Sequence, residues 1–403
     1  MIWCGSEGIL ETIREHISTA AVMNISRDER LSKCQLHYRC VDDTLAVHTN
    51  ILGLVQDYNP DALGLVDATC NLFKATCTRW KDPPAGANVV PTFDKNLFEH
   101  MRTITESISV DSASNEIVGA EDATMVLEDD LNSFLPNCKT VLRDLAHCFR
   151  RILSRCWKCD PAIERVFESW IQGPDSPTQL IGHSQDLRNL HHKCCKDCLA
   201  EAAVDQAFSG MRHGKHRFES HTTPLSRTIL EFLAMLQFLS ILSKTRKGRR
   251  EGTAAMRLLS EMVPADIVLL AMMADAATEA LVLIRQTEGR GFDAAQIVAA
   301  MKQFLDIVYW LFFQGGCLKI DGHTTYIISL LSTVHFFYLG DQAASIGGIR
   351  LTGHDPIVVD CLKRMQAWVV LAKTTTEADV PGFSVVYCFS AFALPEKKRG
   401  WEY

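Results

Sequence analysis

Three apolar runs follow one another within the first 55 residues, and their pattern constrains the fold more than any other feature of the chain. Thr19 to Ser26 (TAAVMNIS) reads as a buried strand opening onto Arg27-Asp28-Glu29. Cys34 to Val41 (CQLHYRCV) alternates apolar and polar residues, and after an Asp42-Asp43 turn Leu45 to Val55 resumes the alternation. Alternation with period two places every second side chain on one face, so these runs predict a three-stranded antiparallel meander.

The pattern then changes. Asn59-Pro60-Asp61 supplies turn and helix-start chemistry, and Leu63, Val66, Leu72 and Phe73 suit an amphipathic helix ending near Trp80. Lys81 to Pro91 reads as a loop. A helix over Leu97 to Ile108, a short strand over Glu116 to Ala120 ending at Glu121-Asp122, a fifth strand over Lys139 to Leu142 and a basic helix from Leu145 to Ser154 complete the order β-β-β-α-β-β-α. From Pro161 onward long apolar faces predict helices over Leu225–Leu242, Ala254–Met262, Ala265–Arg285, Ala294–Phe313 and Pro356–Ala372. The expected fold is α/β followed by α, with an α/β segment at 1–158 and a helical region at 159–403.

A chain of 403 residues that is 47% apolar and 22% charged can bury a sizeable core. MIWCGSEGIL lacks the pattern of a secretory signal, and Asp275 and Glu279 interrupt the most apolar window, so no membrane span is expected. Fifteen cysteines without a signal peptide suit a reducing, intracellular compartment, where they serve as small buried residues. The net charge of −7 hides an uneven distribution: residues 143–250 hold 18 Lys/Arg against 11 Asp/Glu. A basic middle can present a local anion-binding surface, because screening over about 8–10 Å separates patches from net charge.

RNase H-like nucleases and transposases use the strand order just read, with one Asp at the end of the first strand and another after the fourth. Their chemistry needs carboxylates that share two Mg²⁺ ions about 3.5–4 Å apart. Asp28 follows the first expected strand and Asp122 the fourth. Ordinary solvent-facing turn residues are the competing reading for both.

Ile25-Ser26-Arg27-Asp28-Glu29, HYRCVDD and VHTNILGLV together resemble the first three strands of hAT-type transposases. Gly119 to Thr124 (GAEDAT) looks like that family's second-aspartate segment, and LRDLAH falls where the family has Cys-x-x-His. His147 matches the histidine, whereas Asp144 replaces the cysteine. Arg212 to Arg227 resembles the entry to the family's helical insertion, and Ala274 to Arg285 the helical segment after it. The similarity spans roughly residues 20–325. It implies an RNase H-like sheet, Asp28 and Asp122 as vestigial metal-binding acids for Mg²⁺, and DNA as partner. Self-association is compatible with it, and no membrane partner is expected. No N-terminal zinc-finger module and no third catalytic acid are found in the sequence, so the expected protein contacts nucleic acid without cutting it.

Cys156-x-x-Cys159 and, further on, His191-His192-x-Cys194-Cys195-x-x-Cys198 carry the ligand types of a structural zinc site, with Cys156, Cys159, Cys195 and Cys198 as its thiolates. The same cysteines, spaced i, i+3, also fit partly buried helix positions. Arg143, Arg150, Arg151 and Arg155, with Lys244, Arg246, Lys247, Arg249 and Arg250, can neutralise phosphates, or form a solvated face. KTRKGRR also passes as a nuclear-targeting stretch, which favours nucleus over cytoplasm. No Gly-x-Ser-x-Gly, Walker loop or His-Glu-x-x-His motif occurs. The alternative function is a helical protein–protein interaction scaffold without nucleic-acid binding, its groove lying within Leu225–Phe337.

Overall fold

The computed structural model describes residues 2–30, 33–56, 58–79, 91–110, 114–124, 133–143, 145–198, 222–288 and 294–380. The chain divides into two compact units, one built on residues up to Cys148 and the other on Phe149–Asp379.

The first unit is a mixed five-stranded sheet with helices. Its elements run α1 (Ile2–Ser18), β1 (Ala20–Arg30), β2 (Lys33–Asp42), β3 (Val47–Gln56), α2 (Ala62–Cys77), α3 (Lys95–Ile104), β4 (Thr105–Val110), α4 (Ser114–Thr124) and β5 (Thr140–Arg143), and α5 (Leu145–Cys156) starts here and continues into the second unit from Phe149. A two-residue ladder also joins Thr78–Arg79 to Thr92–Phe93. The sheet order is β3-β2-β1-β4-β5. The meander β1-β2-β3 is antiparallel, with Arg30 opposite Lys33 and Val41 opposite Val47, as the alternation requires. On the other side of β1 the pairing is parallel, from Met23 opposite Thr105 to Ser26 opposite Ser109, and β5 extends it in parallel from Ser107 opposite Thr140. Parallel neighbours need crossover connections, which α3 and α4 supply.

One face of this sheet is buried. Met23 and Ile25 of β1, Leu36, Tyr38 and Cys40 of β2 and Ile108 and Val110 of β4 pack with Ile13 and Ile17 of α1, Phe73 of α2 and Met101 of α3. Burying a side chain of this size stabilises by about 1.5–3 kcal/mol, which makes the register of the meander hard to slip. Two buried arginines tie helices together. Arg14 of α1 donates from Nε to the Thr76 carbonyl (2.7 Å) and from Nη2 to that of Thr78 (2.9 Å), satisfying carbonyls at the end of α2. Arg27 of β1 donates to the Leu65 carbonyl and to Thr69 Oγ1, both at 3.3 Å, on α2.

Two expectations are corrected here. Glu116–Ala120 is not a strand but part of α4, where Gly119, Ala120 and Ala123 are buried at helical spacing and Val118 is exposed. The fourth strand is Thr105–Val110, where the sequence predicts the end of a helix. Leu97, Met101 and Ile104 keep helical spacing that Ile108 continues, yet Ile108 and Val110 are buried with the period of two of a strand. The α1 helix is an element that the strand-centred reading leaves out.

The second unit is helical: α6 (Pro161–Phe167), running on into a π-helical turn at Glu168–Gln172, then α7 (Pro177–His183), α8 (Gln185–Cys198), α9 (Thr223–Leu230), α10 (Phe232–Thr245), α11 (Arg250–Glu261), α12 (Pro264–Glu288), α13 (Ala294–Phe313), α14 (His323–Leu331) and α15 (Pro356–Asp379). The 25-residue α12 is central, with residues 266–277 continuously buried, and it packs against α9, α13, α14 and α15. Among the described residues two helical stretches, Pro264–Gln286 and Gln296–Phe313, are long and apolar enough to cross a membrane, and 78% of the first window is covered by the protein itself. An all-helical region is corrected at one place. β6 (Val334–Leu339) and β7 (Gln342–Gly347) form an antiparallel hairpin, because Val-His-Phe-Phe-Tyr suits an extended backbone and Gly340, at φ +62°, supplies the left-handed residue of the two-residue loop.

Candidate functional site

Asp28 lies inside β1, opposite Gln35 of β2, because the strand runs on to Arg30, four residues beyond the expected end at Ser26. Its side chain is outside the described residues. Asp122 is half-buried on α4 and therefore does not end a strand, so the fourth-strand role expected for it is lost. The strand in that role is β4, and the next residue in the chain is Asp111, missed by the sequence reading and itself outside the described residues. The missed signal was the Thr-Glu-Ser-Ile-Ser-Val alternation directly before it.

The expected basic residues are spread over both units. Arg143 ends β5, and Arg150 and Arg151 lie on α5 with side chains outside the described residues, whereas Arg155 is exposed. Asp144 and the side chain of His147 also lie outside them.

The Lys244–Arg250 turn is compromised as a bare cationic surface. Lys244 Nζ sits over the Tyr338 ring at 5.4 Å, Lys247 pairs with Asp341 at 3.6 Å, and Arg250 Nε donates to Asp175 at 2.7 Å. Arg249 is exposed and Arg246 half-buried in the same turn. Exposed pairs of this kind contribute about 0–1 kcal/mol, so a phosphate can displace them.

The four cysteines expected to share one metal do not converge. Cys156 is buried at the end of α5, and burial pushes its thiol up to about 12. Cys159 is half-buried, and Cys198 is exposed with Sγ donating to Gln237 Oε1 at 2.8 Å. Cys195 instead faces two groups of other types. Its Sγ lies 3.6 Å from His191 Nε2 and 3.9 Å from Glu231 Oε2, and those two atoms are 3.5 Å apart. Among the described residues this is the one group of three or more metal-ligand side chains gathered within reach of a single ion.

His191 and Cys195 are one helical turn apart on α8, and Glu231 stands at the break between α9 and α10, which meet at 83°. All three residues are buried, His191 and Glu231 to 2% exposure. Desolvation dominates their titration. It pushes Glu231 up to about 7 against the pull of Arg227, pushes the Cys195 thiol up to about 12, and drives His191 down to about 4. The sequence showed His191 and Cys195 but not Glu231, whose one available signal was a lone acid inside the apolar run LSRTILEFLAML.

A second buried carboxylate has a structural task. Asp275, in the apolar window of α12, accepts from the backbone N–H groups of His323 (2.8 Å) and Thr324 (3.1 Å) and from Thr324 Oγ1. It thereby caps α14 from a neighbouring helix, where a negative charge is favoured.

No protein-family model, curated protein or solved structure matches the chain.

Proposed function

We propose that this chain derives from an hAT-type transposase, keeps an RNase H-like sheet, and contacts DNA in the nucleus without cleaving it. The observation that supports the reading best is the strand order β3-β2-β1-β4-β5, with an antiparallel meander on one side of β1 and parallel strands on the other. In that arrangement the two acids of a metal pair come from β1 and from the residue after β4. On this reading they are Asp28 and Asp111, and the Mg²⁺ role first given to Asp122 passes to Asp111. A cleaving centre of this kind uses a third carboxylate, and no residue is assigned to that role in this chain. Glu279, the acid of the long apolar helix, is half-buried on α12 in the helical unit and pushed upward by burial.

The test is fluorescence anisotropy on labelled duplex DNA across a salt series, with the intact chain and a variant in which Lys244, Arg246, Lys247, Arg249 and Arg250 are all alanine. Binding should weaken at least about tenfold in the variant, and the dependence of log affinity on log salt should become shallower by up to about 4. Equal binding by both proteins removes the basic turn from the interface, and no binding by either ends the nucleic-acid reading. Strand nicking in Mg²⁺ or Mn²⁺ that disappears in Asp28→Ala and Asp111→Ala would show that the enzyme is intact.

One observation favours an interaction scaffold instead. Tyr309 and Phe313 stack at 4.6 Å on α13 while remaining 48% and 40% exposed, an aromatic pair of the sort that anchors a partner protein. Unchanged DNA binding in a Tyr309→Ala/Phe313→Ala variant, with loss of a co-purifying protein partner, would support this second reading.

A further inference from the structure

We propose that His191, Cys195 and Glu231 form a buried zinc site that pins the bend between α9 and α10 to α8. This rests on the geometry of the helical unit and not on the transposase reading.

Zinc bonded to nitrogen and oxygen at about 2.0–2.1 Å and to sulfur at about 2.3 Å, in a tetrahedral arrangement, sets the ligand atoms about 3.4–3.6 Å apart. The three separations here are 3.5, 3.6 and 3.9 Å. The lengths are close to the edges of that tetrahedron, and because Cys195 Sγ is also 3.8 Å from His191 Nδ1, a turn of the His191 ring about its Cβ–Cγ bond is what aims Nε2 at the shared point. The i, i+4 spacing of His191 and Cys195 places both side chains on one face of α8, and Phe238 meets the imidazole in a T-shaped contact at 5.6 Å.

A second observation points to a cation as the partner of this cluster. Glu231 Oε1 is fully buried and has no hydrogen-bond partner among the described residues, although its other oxygen faces Cys195 and His191. Buried carboxylate oxygens are expensive to leave unsatisfied. A dication offsets both the carboxylate and a Cys195 thiolate at one point. Thiolate with imidazole selects zinc over magnesium or calcium. Three protein ligands leave the fourth position to a non-protein ligand.

The placement of Glu231 gives the ion its task. Glu231 ends α9 and begins α10, with φ −100° and ψ 19°, so it is the residue at which the chain turns. A metal bond from that residue to α8 fixes two helix directions at once, without any basic residue or DNA.

The experiment uses the full chain, expressed in zinc-supplemented medium and purified without chelator. Elemental analysis should find about one zinc per chain, and the Cys195→Ser and His191→Ala variants should lose it, while Cys156→Ser and Cys159→Ser keep it. Replacement with Co²⁺ should give a thiolate-to-cobalt charge-transfer band in the intact protein that Cys195→Ser abolishes. Chelation should lower the melting temperature of the intact protein and leave that of Glu231→Gln unchanged, a readout that stands if the other variants fold poorly. A folded intact protein that carries no zinc and develops no such band with Co²⁺ overturns the proposal, as does a band insensitive to Cys195→Ser.

Discussion

Asp275 of α12 holds the first residue of α14 in place: its Oδ1 accepts the backbone N–H of His323 at 2.8 Å and lies 3.0 Å from Nδ1 of the same residue. With Oδ2 accepting from Thr324, a single carboxylate in an apolar helix meets the first turn of another. Asp275→Ala removes these contacts and orphans buried donors, and should destabilise by about 2–4 kcal/mol. Asp275→Asn, which keeps one acceptor oxygen, should cost roughly half as much. Urea denaturation followed by far-UV circular dichroism measures both. An unchanged midpoint for the alanine variant would show that α14 is capped by other means.

The buried His191–Glu231 pair makes a pH prediction for chelated, metal-free protein. Glu231, raised from 4.5 to about 7, favours the folded state most below pH 4.5, and that contribution is lost as pH rises to 7. His191, lowered from 6.5 to about 4, contributes most above pH 6.5, and its contribution is lost as pH falls to 4. Between pH 4.5 and 6.5 the two slopes oppose each other, each at most about 1.4 kcal/mol per pH unit. Relative to the intact protein, Glu231→Gln should therefore gain stability as pH rises through this window, and His191→Gln should lose it. Parallel stability curves for all three proteins would contradict the burial of the pair.

Gly119 marks where α4 meets α2, since a Cβ added there would lie 2.8 Å from the Ala62 carbonyl oxygen and 3.3 Å from Leu65 Cβ. Gly119→Ala should cost about 1–3 kcal/mol because neither neighbour is the end of a flexible side chain. Helix propensity alone would stabilise this substitution by up to about 1 kcal/mol, so the sign of the change separates close packing from an open helix surface.

Asp175 and Asp341 neutralise part of the Lys244–Arg250 turn. Asp341 pairs at an exposed position and the half-buried Asp175 pairs with the exposed Arg250 and Arg257, so Asp341→Asn should leave stability within about 0.5 kcal/mol and Asp175→Asn within about 1 kcal/mol, while both raise DNA affinity a few-fold at low salt. A loss of affinity in either variant would mean that the ion pairs orient the turn for binding.

The meander was legible because alternation with Asp42-Asp43 as punctuation admits one pairing. Asp42 itself strengthens the turn, accepting from the N–H of Thr44 and of Ala46, and its carboxyl is driven down chiefly by His48. The fourth strand was misplaced because no Gly or Pro separates α3 from β4, so the helical spacing of Leu97, Met101 and Ile104 ran on through Ile108. Asp122 was chosen for the same reason, and Asp111 was passed over. Of the candidate metal ligands, His191 and Cys195 share a helix face and could be read from spacing. Glu231 could not, since an 83° break between helices 36 residues on brings it to them.

The continuous burial of α12 carries a consequence for how the helical unit is made. A segment apolar on nearly every side has no stable form in water until its neighbours surround it, and α15, one of those neighbours, is translated well after it. The nascent chain carries α12 with one flank uncovered until α15 has left the ribosome, even after α9, α13 and α14 have packed on it, and a fragment that ends before Pro356 should aggregate instead of folding.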